Sequence, residues 1–302
     1  MPGSNVRRRT VRVIAPALAA TAALALTACG QSAPGASSGT AVTKAKNGAY
    51  GECKVSGEKG SVKLKTVEKG TLTVAGDLPS RGWWNGDTVA EIKSGFEYCL
   101  AANLAHRAGL EKLKIRNVSF DAMVAGKGSG YDLAMAEISI TDERKKAVDF
   151  TSPYFDSNIG VLAKPGTVNA GNVRSLRLGV KQATSGAKFV QEILKPAKSA
   201  QVFPGDAEML AALQGGRVDA VLTDTAIVLG QAKGSGGKVA VVGQYETGES
   251  YGALLPKDSA NTSAVNGVLA ELTGNGTLEQ LSESYLGEAL GGDPAAVPVW
   301  KL

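Results

Sequence analysis

Residues 132–155 read DLAMAEISITDERKKAVDFTSPYF. An apolar run of strand length, 132–136, gives way to Ser139, Ile140 and Thr141. An acid-rich helix start then carries Arg144, and a second β-prone run follows. An arginine just past a strand end, beside hydroxyls and the free N–H groups of a helix start, is a good receptor for a carboxylate. Guanidinium offers two parallel hydrogen bonds, and the helix start adds partial positive charge. On residue chemistry alone, a surface Arg144 paired with Asp142 or Glu143 accounts for the pattern equally well.

Outward from this stretch, strands and helices alternate. Strands are predicted at 71–75, 113–118, 176–180, 218–223 and 239–242, with an early one at 61–67. Helices are predicted at 94–107, 186–194, 206–213, 262–273 and 278–285, and a helical turn at 141–148. Ser94 with Glu97, and Thr277 with Gln280, have the spacing of capping boxes, and Asp206 is an acidic N-cap. This alternation implies α/β lobes with largely parallel sheets. The 302 residues leave room for one large domain or two lobes.

The N-terminus reads as a targeting segment. Arg7, Arg8, Arg9 and Arg12 precede an apolar run, 13–26, that is short of the ~20 residues a membrane span needs. Leu26, Thr27, Ala28, Cys29 and Gly30 resemble the lipobox of bacterial lipoproteins. That resemblance implies a signal peptide at 1–28 and a diacylglycerol on Cys29. The other reading is an ordinary signal peptide with an incidental cysteine. The leader holds four arginines and no acid, so its removal lowers the formal charge from +5 to +1. The basic balance therefore reports the leader and is no sign of nucleic-acid binding. Residues 29–60 are rich in Gly, Ser, Ala and Lys and read as a lipid-anchored flexible linker, with folded chain from about Ser61. Cys53 and Cys99 are the two cysteines left, and in an exported protein they allow one disulfide; two separate buried thiols are the alternative. His106 is the single histidine, read as a solvated helix-end residue. One histidine excludes a multi-histidine metal site and argues against a Ser-His triad. GKGSG at 126–130 does not sit between a strand and a helix, so it reads as a loop rather than a phosphate cradle. No metal, cofactor or nucleic acid is expected.

The 132–155 stretch resembles the signature of the family 3 extracellular solute-binding proteins, which bind polar amino acids. The likeness runs from about Gly70 to Gly287. It includes GFEYCLAANLA from Gly95, SFDAM from Ser119, VKQATSG from Val180, GGRVDAVLTD from Gly215, TGESYG from Thr247 and NGTLEQLSESYLG from Asn275. The resemblance implies a two-lobed, type II periplasmic-binding-protein fold of α/β class, with two crossover strands as the hinge. One lobe would be 61–156 plus 250–302, and the other 157–249.

The resemblance also implies a site. Arg144 matches the residue that clamps a ligand α-carboxylate, helped by Ser139 and, from the second lobe, by Ser185 with Gly186 after it. Ala136 and Glu137 fall where the family meets the ligand ammonium, Phe120 matches an aromatic wall, and Asp224 matches the carboxylate that pairs with the ammonium. Three features depart from the family pattern or stay open. The loop GDLPSRGWWNGD, 76–87, offers Asp77 and either Trp83 or Trp84 to the ligand, or else packs the lobes. Glu137 stands where Gly or Ser is more usual. Lys181 reaches either a side-chain carboxylate or solvent.

The implied function is that of an extracytoplasmic, lipid-anchored, monomeric binding protein, not an enzyme. It would capture an amino acid such as glutamate or glutamine and deliver it to the permease of an ABC importer. Two alternatives stay open: a dehydratase-like enzyme on the same fold with Glu137 as general acid, and a ligand-sensing ectodomain.

Overall fold

The computed structural model describes residues 39–46 and 48–302. The expected signal peptide, Cys29 and the first part of the linker lie outside the described residues. The chain opens with β1 (Thr40–Lys44), β2 (Thr71–Gly76), α1 (Phe96–Arg107), β3 (Lys112–Asn117), α2 (Phe120–Val124), β4 (Leu133–Ala134) and β5 (Val148–Phe150). There follow β6 (Phe155–Ala163), β7 (Leu178–Lys181), α3 (Ser185–Lys188), β8 (Gln201–Phe203), α4 (Asp206–Gln214), β9 (Ala220–Asp224), α5 (Thr225–Gly234) and β10 (Ala240–Tyr251). β11 (Leu254–Pro256), α6 (Thr262–Gly274) and α7 (Thr277–Leu290) come last.

Two sheets result. The first runs β1-β3-β2-β4-β11-β5 and the second β10-β6-β9-β7-β8. Both are mixed rather than largely parallel. β2 lies parallel to β3 and β4, and β7 parallel to β8 and β9, while the pairs made by β1, β6, β10 and β11 are antiparallel. Apart from β1 with β3, the antiparallel pairs involve strands next to the two places where the chain changes sheets. β6 and β10 pair along their length from Phe155↔Tyr251 to Ala163↔Ala240, and both belong to the second sheet. Just outside them the chain enters the first sheet, through β5 on one side and β11 on the other.

Side chains explain the layers. Every residue of β2 is buried, as expected of a central strand covered on both faces. Leu72 and Val74 join one apolar cluster with α1, α6 and α7, and Ala75 joins another with Phe120, Met123 and Ile138. In the second sheet Ile159, Val161 and Ala163 pack into one cluster while Leu162 between them packs into the other, the period of two that a strand imposes.

Three expectations are corrected. Residues 40–46 and 48–60 belong to the fold rather than to a linker. β1 runs antiparallel along β3, Tyr50 is fully buried with its hydroxyl donating to the Leu110 carbonyl, and Cys53 is bonded to Cys99 on α1. Residues 61–67 are not a strand; side chains hold their backbone instead, Asn261 Oδ1 accepting from Lys65 N at 2.8 Å and Asp132 Oδ1 from Val67 N at 2.7 Å. The C-terminal tail after α7 returns to the second sheet. Trp300 N donates to Gln244 O at 2.8 Å and Gln244 N to Pro298 O at 2.9 Å. The Trp300 ring lies edge-on to Tyr245, over Gly243, where an added Cβ would meet the indole at 2.1 Å.

Candidate ligand-binding site

A cavity of about 240 Å3 lies between elements of the two sheets. From the first side come Asp77, Ser80 and Trp83 of the loop after β2, Phe120 of α2, and Ala136 and Glu137 after β4. From the second come Lys181, Thr184, Asp206, Thr223, Asp224 and the α5 residues Ile227 and Gln231. A larger cavity, about 950 Å3, lies behind the crossover strands between α5, α7 and the tail. None of the sequence-predicted site residues lines it, so size does not mark the site.

Arg144 opens a short 3-10 turn after the Ser-Ile-Thr segment. Its side chain is buried, at 8% exposure, and is not a surface partner of Asp142 or Glu143. Nη1 donates to the Ser139 carbonyl at 2.6 Å, and Nη2 reaches across to the Ala183 carbonyl at 2.9 Å. Both partners are backbone carbonyls, so among the described residues no carboxylate is hydrogen-bonded to the cation. Burial pulls its pKa down, and Asp224, Glu249 and Glu143 push it back up. Ser139 Oγ and Ser185 Oγ lie 3.3 Å apart across the same gap. Ser185 and Gly186 begin α3, held by Thr184, whose hydroxyl accepts from Ala187 N at 3.1 Å. Gly186 backs closely onto β9, where an added Cβ would meet the Leu222 carbonyl oxygen at 3.1 Å. Ser139, Arg144, Ser185 and Gly186 are not on the cavity wall; direct contacts between the two sides occupy that end.

Asp224 ends β9 and precedes α5. It is 6% exposed, and its Oδ1 is buried with no hydrogen-bond partner among the described residues. Burial first, and then Glu249, push its pKa up to about 7, against Arg144 and a hydrogen bond from Tyr251.

Lys181 ends β7 and does not reach solvent. Its Nζ pairs with Asp77 Oδ2 at 2.5 Å and Asp206 Oδ2 at 2.6 Å. Burial alone would lower its pKa, and the two carboxylates override that and raise it. Phe120 lies between the two cations, its ring centroid 5.3 Å from the Arg144 guanidinium and 5.2 Å from Lys181 Nζ, a favourable arrangement for a ring quadrupole.

Glu137 is buried with φ 49, a backbone conformation costly outside glycine. Its Oε1 accepts from Ser80 Oγ at 3.0 Å, and its backbone N donates to Glu97 Oε1 at 2.9 Å. Glu97 is fully buried and also accepts from Trp84 Nε1 at 2.7 Å and from the Tyr154 hydroxyl. Burial pushes Glu97 up to about 7. Burial, and then Glu97, push Glu137 well above the carboxylate range.

The two tryptophans differ in position. Trp83 lines the cavity, edge-on to Phe96, Phe155 and Tyr251, whereas Trp84 is buried toward α1 and Glu97. Ser80, Glu97, Asp206, Gln231 and Tyr251 were not singled out from sequence as site residues. Asp206 and Glu97 each carried a local helix-cap reading that hid them. His106 has its Nε2 3.1 Å from the Gly57 carbonyl, apart from the site, and among the described residues no cluster of metal-ligating side chains exists.

Comparison with known proteins agrees with this architecture. Residues 90–288 match the model of the bacterial extracellular solute-binding proteins, family 3. The L-cystine-binding protein of Escherichia coli (strain K12) is 30% identical over 231 residues, covering 74% of this chain and 85% of that protein. The glutamine-binding protein of Geobacillus stearothermophilus is 30% identical over 262 residues, covering 85% and 97%. Among solved structures, an ancestral arginine-binding protein bound to arginine has a TM-score of 0.65 at 29% identity, covering 72% of this chain and 99% of its own. The fold is thus that of the type II amino-acid-binding proteins. The chain belongs to the bacterial extracellular solute-binding proteins of family 3, a family of extracytoplasmic binders and not of enzymes.

Proposed function

We propose that this protein binds one free amino acid between its two lobes and hands it to the permease of an ABC importer. The observation that carries the reading is that Arg144 and Asp224 are opposite charges, both buried and electrostatically coupled, Arg144 in the turn before β5 of the first sheet and Asp224 at the end of β9 of the second. Asp224 lines the cavity, and Arg144 lies behind the contacts that close its other end. A buried charge needs a partner, and a zwitterion supplies one to each. Arg144, with Ser139, Ser185 and Gly186, takes the α-carboxylate. Asp224 takes the α-ammonium, beside Ala136, and Phe120 and Trp83 form the walls. The cavity of about 240 Å3 lies below the ~300–1,000 Å3 of pockets for drug-sized ligands, which suits a single amino acid. Relatives named for binding cystine, arginine and glutamine support the ligand class.

Glutamate is the poorer fit of the two amino acids expected from sequence. It needs a free Lys181, and Lys181 is held by two carboxylates. The lipobox-like residues 26–30 support anchoring through Cys29 after removal of residues 1–28. Among the described residues no helix is long and apolar enough to cross a membrane.

A thermal-shift screen of the twenty amino acids tests the reading. A ligand at about 100 times its Kd adds about 2.7 kcal/mol, so at least one amino acid should raise the midpoint clearly. If none does, the amino-acid reading is wrong.

A further inference from the structure

Resting on the amino-acid reading of the cleft, we propose that its far end selects a positively charged, hydrogen-bond-donating side chain, with Glu137 and Asp206 as the acceptors. Four carboxylates line the cavity: Asp77, Glu137, Asp206 and Asp224. Asp224 is assigned to the ammonium, which leaves three others on the wall for the side chain. The one buried cation there, Lys181, spends two of its three donors on Asp77 and Asp206. Arg81, also on the wall, is an exposed residue. The end therefore holds more carboxylates than buried cations before any ligand enters.

The hydrogen-bond inventory points the same way. Asp206 Oδ1 and Gln231 Oε1 are buried without a hydrogen-bond partner among the described residues, and both residues line this cavity. Each such oxygen can only accept. A buried acceptor left unpaired costs roughly 1–3 kcal/mol, and more when charged. An acidic side chain brings no donor and adds like charge, whereas a guanidinium or ammonium brings several donors and the missing positive charge. Glu137 keeps accepting capacity: its backbone N–H is fixed by Glu97, and among the described residues its side chain is hydrogen-bonded to the Ser80 hydroxyl. No local sequence pattern joins these groups, since Glu137, Asp206 and Gln231 come from different elements.

Calorimetric titration of the mature protein with matched pairs tests this. L-Arginine is set against L-citrulline, and L-lysine against L-norleucine, each pair differing at the charged end. L-Glutamine and L-glutamate are the further arms. The cationic member of at least one pair should bind about tenfold or more tighter than its neutral counterpart, and tighter than the further arms, the scale of a charged hydrogen bond. In Glu137→Gln and in Asp206→Asn that ratio should fall toward one, with melting curves confirming that both variants fold. If a neutral or acidic amino acid binds tightest and Arg144→Ala abolishes it, the charge preference is wrong while the amino-acid reading stands. If a cationic preference exists but survives both variants, the assignment to Glu137 and Asp206 is overturned. If no amino acid binds at all, both readings fall together.

Discussion

Glu97 and Glu137 meet under the wall of the cleft, with the backbone N–H of one donating to the carboxylate of the other. Burial lifts Glu97 from its ordinary 4.5 to about 7, and burial with the Glu97 charge lifts Glu137 well above its ordinary range. Between about pH 4.5 and 7 the folded protein therefore holds protons that the unfolded chain has released. Stability must fall as pH rises through that window, because the native state is the one binding more protons. Asp224, lifted to about 7, acts with the same sign. Burial alone raises Glu97, so replacing Glu137 removes only the proton that Glu137 itself holds in the fold. Glu137→Gln should therefore flatten part of the fall of the thermal midpoint above pH 4.5, read by scanning calorimetry; a profile parallel to wild type would contradict the raised Glu137. At this scale the sequence was uneven. Arg144 and Asp224 were singled out through the family resemblance, and residue chemistry alone left Arg144 open between a receptor and a surface ion pair; the structure buries both. Glu97 was misread because its spacing from Ser94 imitates a capping box. The N-cap is in fact Gly95, at φ 121, where an added Cβ would lie 2.3 Å from the Trp83 carbonyl oxygen. Lys181 stayed open between two roles, since its partners Asp77 and Asp206 lie 104 and 25 residues away.

Elements with a clear period or a clean boundary were readable: β2, α1, β3, β7, α4, β9, α6 and α7 all fall within a few residues of the strands and helices expected. Those that escaped have physical reasons. After Phe155, β6 runs through the polar residues Asp156, Ser157 and Asn158 before its apolar half, because its first part is the crossover and only its second part is sheet core. α5 buries Thr225, Ala226 and Val228 in its first turns and follows Asp224 without a break, so no loop signal separates it from β9. β1 is a short edge strand whose side chains are no more than half-buried, and its Thr, Ala and Lys match the composition of a linker. The disulfide between Cys53 and Cys99 then ties this N-terminal segment to α1 across 46 residues. Composition cannot tell such a fastened segment from a free one; only the partner strand β3 and the buried Tyr50 do.

For the whole molecule, family and architecture followed from motif order, but the partition of the C-terminus did not. Trp300 and its neighbours close on the second sheet, a long-range pairing with no local signal. Anchoring makes a separate prediction about the whole protein: Cys29→Ser should shift it from the membrane fraction into the medium, and continued membrane fractionation would rule out lipidation at that cysteine. The central claim is that two buried charges on opposite sides of one cleft bind the two charges of an amino acid. Truncating one member of a buried charge pair costs ~2–5 kcal/mol, or roughly one to three decades in affinity. The direct measurement is calorimetric titration of wild type, Arg144→Ala and Asp224→Ala with the amino acid found by screening, its α-amide and its des-amino analogue. Each variant should lose one to three decades for the parent ligand. The amide should lose little more on Arg144→Ala, and the des-amino analogue little more on Asp224→Ala. Wild-type affinity in both variants would place the site elsewhere.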